Sequence, residues 1–244
     1  MMTKYKMTLR YEGTRYKGWQ KLKQTNDTIQ GKIESVLSKY FGQEINIDGA
    51  GRTDAGVHAY AQVASFSAPL QDTESLMKIL NGFLPEDIVI TNLETMSSDF
   101  HARFKAIDKT YSYTIWTAKC PPVFERKYVT LLDQPVNIEK MKKASRLFLG
   151  QHDFKAFCTD KTKKSTIRKI IDIQFEVTEN SFTIHYRGDG FLYNMVRIMT
   201  GTLIEVGQDR RDIQTITTAL QSKLRSDAGE TAPAQGLALN KITY

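Results

Sequence analysis

Cysteine is nearly missing from this chain. Two in 244 residues, Cys120 and Cys158, cannot build a disulfide framework, and their spacing fits no zinc site. Both read as free thiols of a reducing compartment. Long apolar runs are missing too. Nothing approaches the ~20 consecutive apolar residues of a membrane helix, and the opening MMTKYKMTLRYEG carries no apolar core of a secretory signal. A cytoplasmic protein with no membrane partner is expected. Acidic residues fall short of basic ones, 27 against 34, for a net charge of +7. That balance suits a polyanionic partner, nucleic acid included, as well as it suits plain solubility.

What is present is a chain of mixed periodicity. Lys4 to Tyr11 alternates, with Tyr5, Met7, Leu9 and Tyr11 on one face, and predicts a strand. Asp27, with Gln30 three residues on, has capping-box spacing. It predicts a helix with Ile29, Ile33, Val36, Leu37 and Tyr40 inward and Gly42 as its end. Strands are expected around Ile45 and Ile47, over 57–66 and over 88–93. A helix over 73–83, with Leu76, Ile79, Leu80 and Phe83 inward, should stop at Pro85. In the second half, strands are expected over 110–116, 166–177 and 181–188, the last two joined at Glu179-Asn180. Helices are expected over 138–149 behind Asn137, over 191–206 before Gly207, and over 213–224. The segment 228–235 reads as loop. Strands mixed with helices, without strict alternation, predict an α+β fold with sheets covered by helices. Two subdomains are expected, 1–103 and 104–244.

The stretch GAGRTDAGVHA, residues 49–59, places three glycines around Arg52 and Asp54. Glycine is costly where order is needed, so it marks unusual dihedrals or a close backbone approach. Two familiar phosphate loops fail on residues. A dinucleotide fingerprint would need glycine where Asp54 stands, and a carboxylate there repels a pyrophosphate. Walker A spacing is followed by Val57-His58 rather than Lys-Ser/Thr. A metal site on Asp54 and His58 would need a helix to put both on one face, which the glycines argue against, and no second His or Cys is close in sequence. A loop presenting one carboxylate beside one guanidinium remains. If it is extended locally, Arg52 and Asp54 point the same way.

The same stretch resembles the signature of the TruA family of tRNA pseudouridine synthases. So do YEGTRYKGWQ (11–20), DFHARFKAIDKTYSYTIW (99–116), GQHDF (150–154), GDGFLYNMVRIMTGTLIEVG (188–207) and APAQGL (232–237), in the same order. The resemblance implies two similar subdomains with mixed, mainly antiparallel sheets and a central cleft, a homodimer, and no cofactor or metal. It implies tRNA as substrate, with uridine converted to pseudouridine at positions 38, 39 and/or 40 of the anticodon arm. Asp54 matches the catalytic aspartate, acting as nucleophile on C1′ or on C6, or assisting loss of a ribose proton. Arg52 would touch the RNA near a flipped base. Tyr111 matches the active-site tyrosine, Arg197 the arginine that pairs with Asp54, and Phe191 and Leu192 the apolar floor of the pocket.

Basic residues then gain a use. Arg15, Lys17, Lys21 and Lys23 surround Tyr16 and Trp19. Arg103, Lys105 and Lys109 precede the tyrosine strand, and Lys161, Lys163, Lys164 and Arg168 form a third group. Lys21, Leu22, Lys23 and Lys105 depart from the family pattern and bear on target choice. The rival from another class is a tRNA-binding or tRNA-folding protein with little catalysis, which the intact set of Asp54, Tyr111 and Arg197 disfavours.

Overall fold

The structure is a computed structural model that describes residues 2–160, 162 and 165–244. Its strands are β1 (Met2–Tyr11), β2 (Asp48–Gly49), β3 (His58–Pro69), β4 (Ile88–Met96), β5 (Asp108–Trp116), β6 (Thr130–Leu131), β7 (Gly150–Asp153), β8 (Ile167–Val177), β9 (Ser181–Gly188) and β10 (Leu237–Thr243). Its helices are α1 (Ile29–Phe41), α2 (Thr73–Phe83), α3 (Ile138–Ser145), α4 (Met195–Gly207) and α5 (Thr215–Ser222). The class is α+β, as the periodicity predicts, and the pairing is mixed and mainly antiparallel, as the resemblance implies.

The chain divides into two compact units. One runs to Ile107 and takes back Ala238–Tyr244; the other is Asp108–Leu237. The expected division at 103/104 gave the whole C-terminal stretch to the second subdomain. The pairing of β10 is the reason it does not stay there: Ala238 and Leu239 lie parallel to His58 and Ala59 of β3.

In the first unit the strand order is β4-β1-β3-β10, with β2 on β3. Tyr5, Met7, Leu9 and Tyr11 are buried, and so are Ile29, Ile33 and Leu37 of α1, so strand and helix periods meet in one core. The cap of α1 is Thr28 rather than Asp27. Its extended backbone aims the hydroxyl at the Gly31 amide, 3.1 Å away. Gln30 is freed from capping and instead donates to Glu34 and to the Ile47 carbonyl. Gly42 ends the helix at φ +65°. Thr28→Ala removes this bond in a fully buried position and is expected to cost about 1 kcal/mol, read as a lowered midpoint in thermal denaturation.

Three inward assignments change. Ile79 and Phe83 of α2 are exposed, and Tyr40 of α1 lies at the surface. The sheet takes up only the narrow Leu76/Leu80 line of α2, and Asn81 fixes that helix by exchanging two hydrogen bonds with the backbone of Ile90. Ile45 and Ile47 are buried but form no strand. Their amides are held by Ser38 Oγ and Glu34 Oε1 of α1 in place of a ladder.

In the second unit β5-β9-β8-β7 form an antiparallel run, with β6 parallel to β5. The Glu179-Asn180 turn joins β8 to β9 as expected. Asn137 caps α3 by accepting from the Lys140 amide. The helix expected from Phe191 begins at Met195, because Asn194 adopts a left-handed φ of 61° that helical geometry cannot continue through.

Candidate active site

The glycines of 49–59 have separate physical reasons. Asp54 and Val57 close a turn, the Val57 amide donating to the Asp54 carbonyl at 3.2 Å. Gly56, third in that turn, sits at φ +80°, the position where a type II turn demands glycine. Gly49 faces the indole of Trp19, whose atoms lie 2.6 Å from where a Cβ would stand. Two glycines of the preceding loop complete the fit. A Cβ on Gly13 would stand 2.0 Å from the Val57 carbonyl oxygen, and one on Gly18 2.7 Å from that of Thr53. The two loops therefore pack backbone on backbone.

Hydrogen bonds fix this packing. The Trp19 amide donates to the Thr53 carbonyl at 3.0 Å, and the Ala50 amide to the Val63 carbonyl at 2.8 Å. The Tyr11 and Thr53 hydroxyls are 2.8 Å apart. Gln62 Nε2 donates to the Gly51 carbonyl at 3.0 Å. The Gly13 amide donates to His58 Nδ1 at 3.0 Å, so that nitrogen is already in use as an acceptor and does not serve a metal held with Asp54. No group of three or more His, Cys, Asp or Glu able to hold a metal occurs among the described residues. Burial follows alternation: Arg52 is exposed, Thr53 is buried and Asp54 is half-buried. Arg52 and Asp54 thus both lie nearer the surface than Thr53 between them.

The other expected site residues belong to the second unit. Tyr111 lies in β5 opposite Tyr186. It is buried, and its ring meets Phe191 edge-on with centroids 5.1 Å apart. Leu192 is buried, its amide on the Met195 sulfur. Arg197, in the first turn of α4, donates from Nε to the Ala232 carbonyl at 2.7 Å and from Nη1 to Asn194 Oδ1 at 3.0 Å. Its own carbonyl accepts from the Ala232 amide. Tyr113 is fully buried and packs, as its place suggests. Its hydroxyl bonds Thr130 and Pro233, and burial pushes that group well above the usual tyrosine range.

The basic clusters are less uniform than the sequence implies. Tyr16 and Trp19 are buried rather than interleaved on the surface. Arg15 pairs with Asp87, Lys21 with Glu34 and Lys105 with Asp99. Arg103 is exposed, its guanidinium 5.7 Å from the centroid of the Phe104 ring. Lys161, Lys163 and Lys164 lie outside the described residues. No helix among the described residues is long and apolar enough to cross a membrane.

Sequence reasoning passed over Tyr11, Thr53 and Gln62 as parts of the site. The available signal was Gln62, a lone amide inside the strand expected over 57–66. A buried amide of that kind needs partners.

Comparison with known proteins gives consistent results. The family described as tRNA pseudouridine synthase matches residues 7–105 and 144–244. The chain is 46% identical over its full length, and the full length of the relative, to a tRNA pseudouridine synthase A of Bacillus sp. (strain KSM-64). It is 43% identical, again over the whole of both chains, to a tRNA pseudouridine synthase A 2 of Bacillus cereus. The same identity and coverage hold for a tRNA pseudouridine synthase A 2 of Clostridium perfringens (strain 13 / Type A).

Proposed function

The chain belongs to the family of tRNA pseudouridine synthases, enzymes that isomerise uridine in tRNA, and from that premise we propose that it acts on uridines 38, 39 and 40 of the anticodon arm with Asp54 as its nucleophile. The observation that carries the assignment of Asp54 is the double-loop packing. Four glycines and a set of buried hydrogen bonds hold one short segment that carries a carboxylate and a guanidinium two residues apart.

The reaction breaks the bond from ribose C1′ to uracil N1, turns the base, and forms a bond from C1′ to C5. The hydrogen on C5 leaves as a proton and N1 gains one, so the change is redox-neutral. A nucleophile for this must be ionised at neutral pH and able to depart again. An aspartate carboxylate meets both demands. Reaching a stacked, paired uridine requires flipping it out. Arg52, exposed beside Asp54, braces the RNA at the vacated place. Tyr111 stacks on the extruded uracil over Phe191 and Leu192. The enzyme works as a homodimer.

Transcripts of tRNA carrying tritium at uridine C5 test this. With uridine retained at only one of positions 38, 39 and 40, tritium is expected to be released stoichiometrically from each transcript in turn. Release only from uridines elsewhere would overturn the position assignment. Binding without any release would favour the tRNA-folding rival. Affinity is expected to fall at least roughly tenfold between 50 and 200 mM salt, since each phosphate contact adds about −0.9 to the logarithmic salt slope. Filter binding across that range checks it.

A further inference from the structure

We propose that Tyr11, Thr53 and Gln62 form a positioning clamp that holds the Arg52–Asp54 segment in its reactive geometry. This rests on the reading of Asp54 as the reacting carboxylate and adds to it the residues through which the fold controls that group.

The clamp grips alternate residues of the loop. Gln62, fully buried on β3, donates from Nε2 to the Gly51 carbonyl at 3.0 Å and toward the Tyr11 hydroxyl at 3.4 Å. Its Oε1 accepts from the Val63 amide at 3.1 Å, which sets the orientation of the side-chain amide. The Tyr11 hydroxyl and Thr53 Oγ1 are 2.8 Å apart and share one hydrogen bond, in which either can donate. Gln62, Tyr11 and Thr53 are thus linked in one chain of hydrogen bonds. The Thr53 carbonyl is taken separately by the Trp19 amide. Residues 51 and 53 are thus tied to the sheet, and Arg52 and Asp54 are both more exposed than Thr53 between them. Burial pushes the Tyr11 hydroxyl up to about 12, so it keeps its proton throughout the range in which such an enzyme works.

This arrangement does more than fill space. A phenylalanine at position 11 would pack equally well but could not donate, and a valine at 53 has the shape of threonine without its oxygen. A loop placed wrongly by a fraction of an ångström loses rate without losing affinity for a substrate as large as tRNA.

The test compares Tyr11→Phe, Thr53→Val and Thr53→Ser with wild type and Asp54→Asn, by tritium release under saturating and limiting tRNA, with a thermal melt of each. Tyr11→Phe and Thr53→Val are expected to lower kcat about tenfold with KM within about twofold. Thr53→Ser, which keeps the hydroxyl, should stay near wild type. The double variant Tyr11→Phe/Thr53→Val should be no slower than either single one, because both break the same link. Wild-type kcat in Tyr11→Phe, or equal losses in Thr53→Ser and Thr53→Val, would overturn the clamp. So would a change confined to KM or to the melting temperature. If Tyr11→Phe does not fold, the Ser/Val comparison at 53 decides alone. An active Asp54→Asn removes the premise, and an inactive one beside a fully active Tyr11→Phe removes only the clamp.

Discussion

Asp54→Asn is expected to lower the rate of isomerisation by at least ~10³-fold while leaving tRNA affinity and the melting temperature near wild type. Asparagine has the size of aspartate but neither its charge nor its nucleophilic oxygen pair. The fold should tolerate it, because the loop is held through the Gly51 and Thr53 carbonyls, the Thr53 hydroxyl and the Val57 amide. None of these bonds uses the Asp54 side chain. Single-turnover tritium release, filter binding and circular dichroism on one preparation separate the three quantities. A variant retaining a tenth of the wild-type rate would show that the carboxylate does not act as nucleophile.

Gly201→Ala is expected to be the most damaging conservative change in the second unit. In a helix interior this substitution ordinarily stabilises by about 0.5–1 kcal/mol. Here the sign reverses. A Cβ on Gly201 would stand 1.9 Å from the Glu230 carbonyl oxygen and 2.9 Å from its carbon. Either α4 or the segment 229–232 must move, and that segment supplies the carbonyl to which Arg197 Nε donates. A loss of about 3 kcal/mol or more is expected, lowering the melting temperature by roughly 6–12 °C for a chain of this size. Activity should fall with it. Gly82→Ala in α2 is the control, since nothing lies within 4 Å of its added Cβ. It should raise the melting temperature slightly. If both variants shift in the same direction, the steric account is wrong.

Elements with a strong local period could be read directly. The alternation of Lys4 to Tyr11, the stripe of Ile29, Ile33 and Leu37, and the stop at Gly42 are all local, and the structure keeps them. Failures fell where distant residues decide. Thr28 rather than Asp27 caps α1 because Gln30, the expected partner in a capping box, is drawn to Gln20, Glu34 and Ile47. The first residues of the expected helix at Phe191 stay outside it because Asn194 turns left-handed. The strand Leu237–Thr243 was not foreseen. Its partner β3 lies some 180 residues earlier in the chain, and no local signal encodes that pairing. The glycines of 49–59 announced a close approach, but only the structure names what approaches: Trp19 at Gly49, and the backbone of residues 13 and 18 at 57 and 53. Asp54, Arg52, Tyr111 and Arg197 came from the signature they match, because composition and period carry no chemistry.

The return of Ala238–Tyr244 to the first unit has a consequence for how the protein is made. Synthesis is vectorial, and domains generally fold N-terminal first as they emerge. Strands β1, β3 and β4 can pair early, but the edge of β3 at His58 and Ala59 stays uncovered until β10 has been translated. For most of translation, the segment leading out of the Asp54 loop borders an open strand edge, a ready template for wrong partners. A ribosome stalled before residue 238 would therefore release a chain whose second unit is complete and whose first is not. The strand edge that follows the Asp54 loop would be among the last parts of the first unit to be covered.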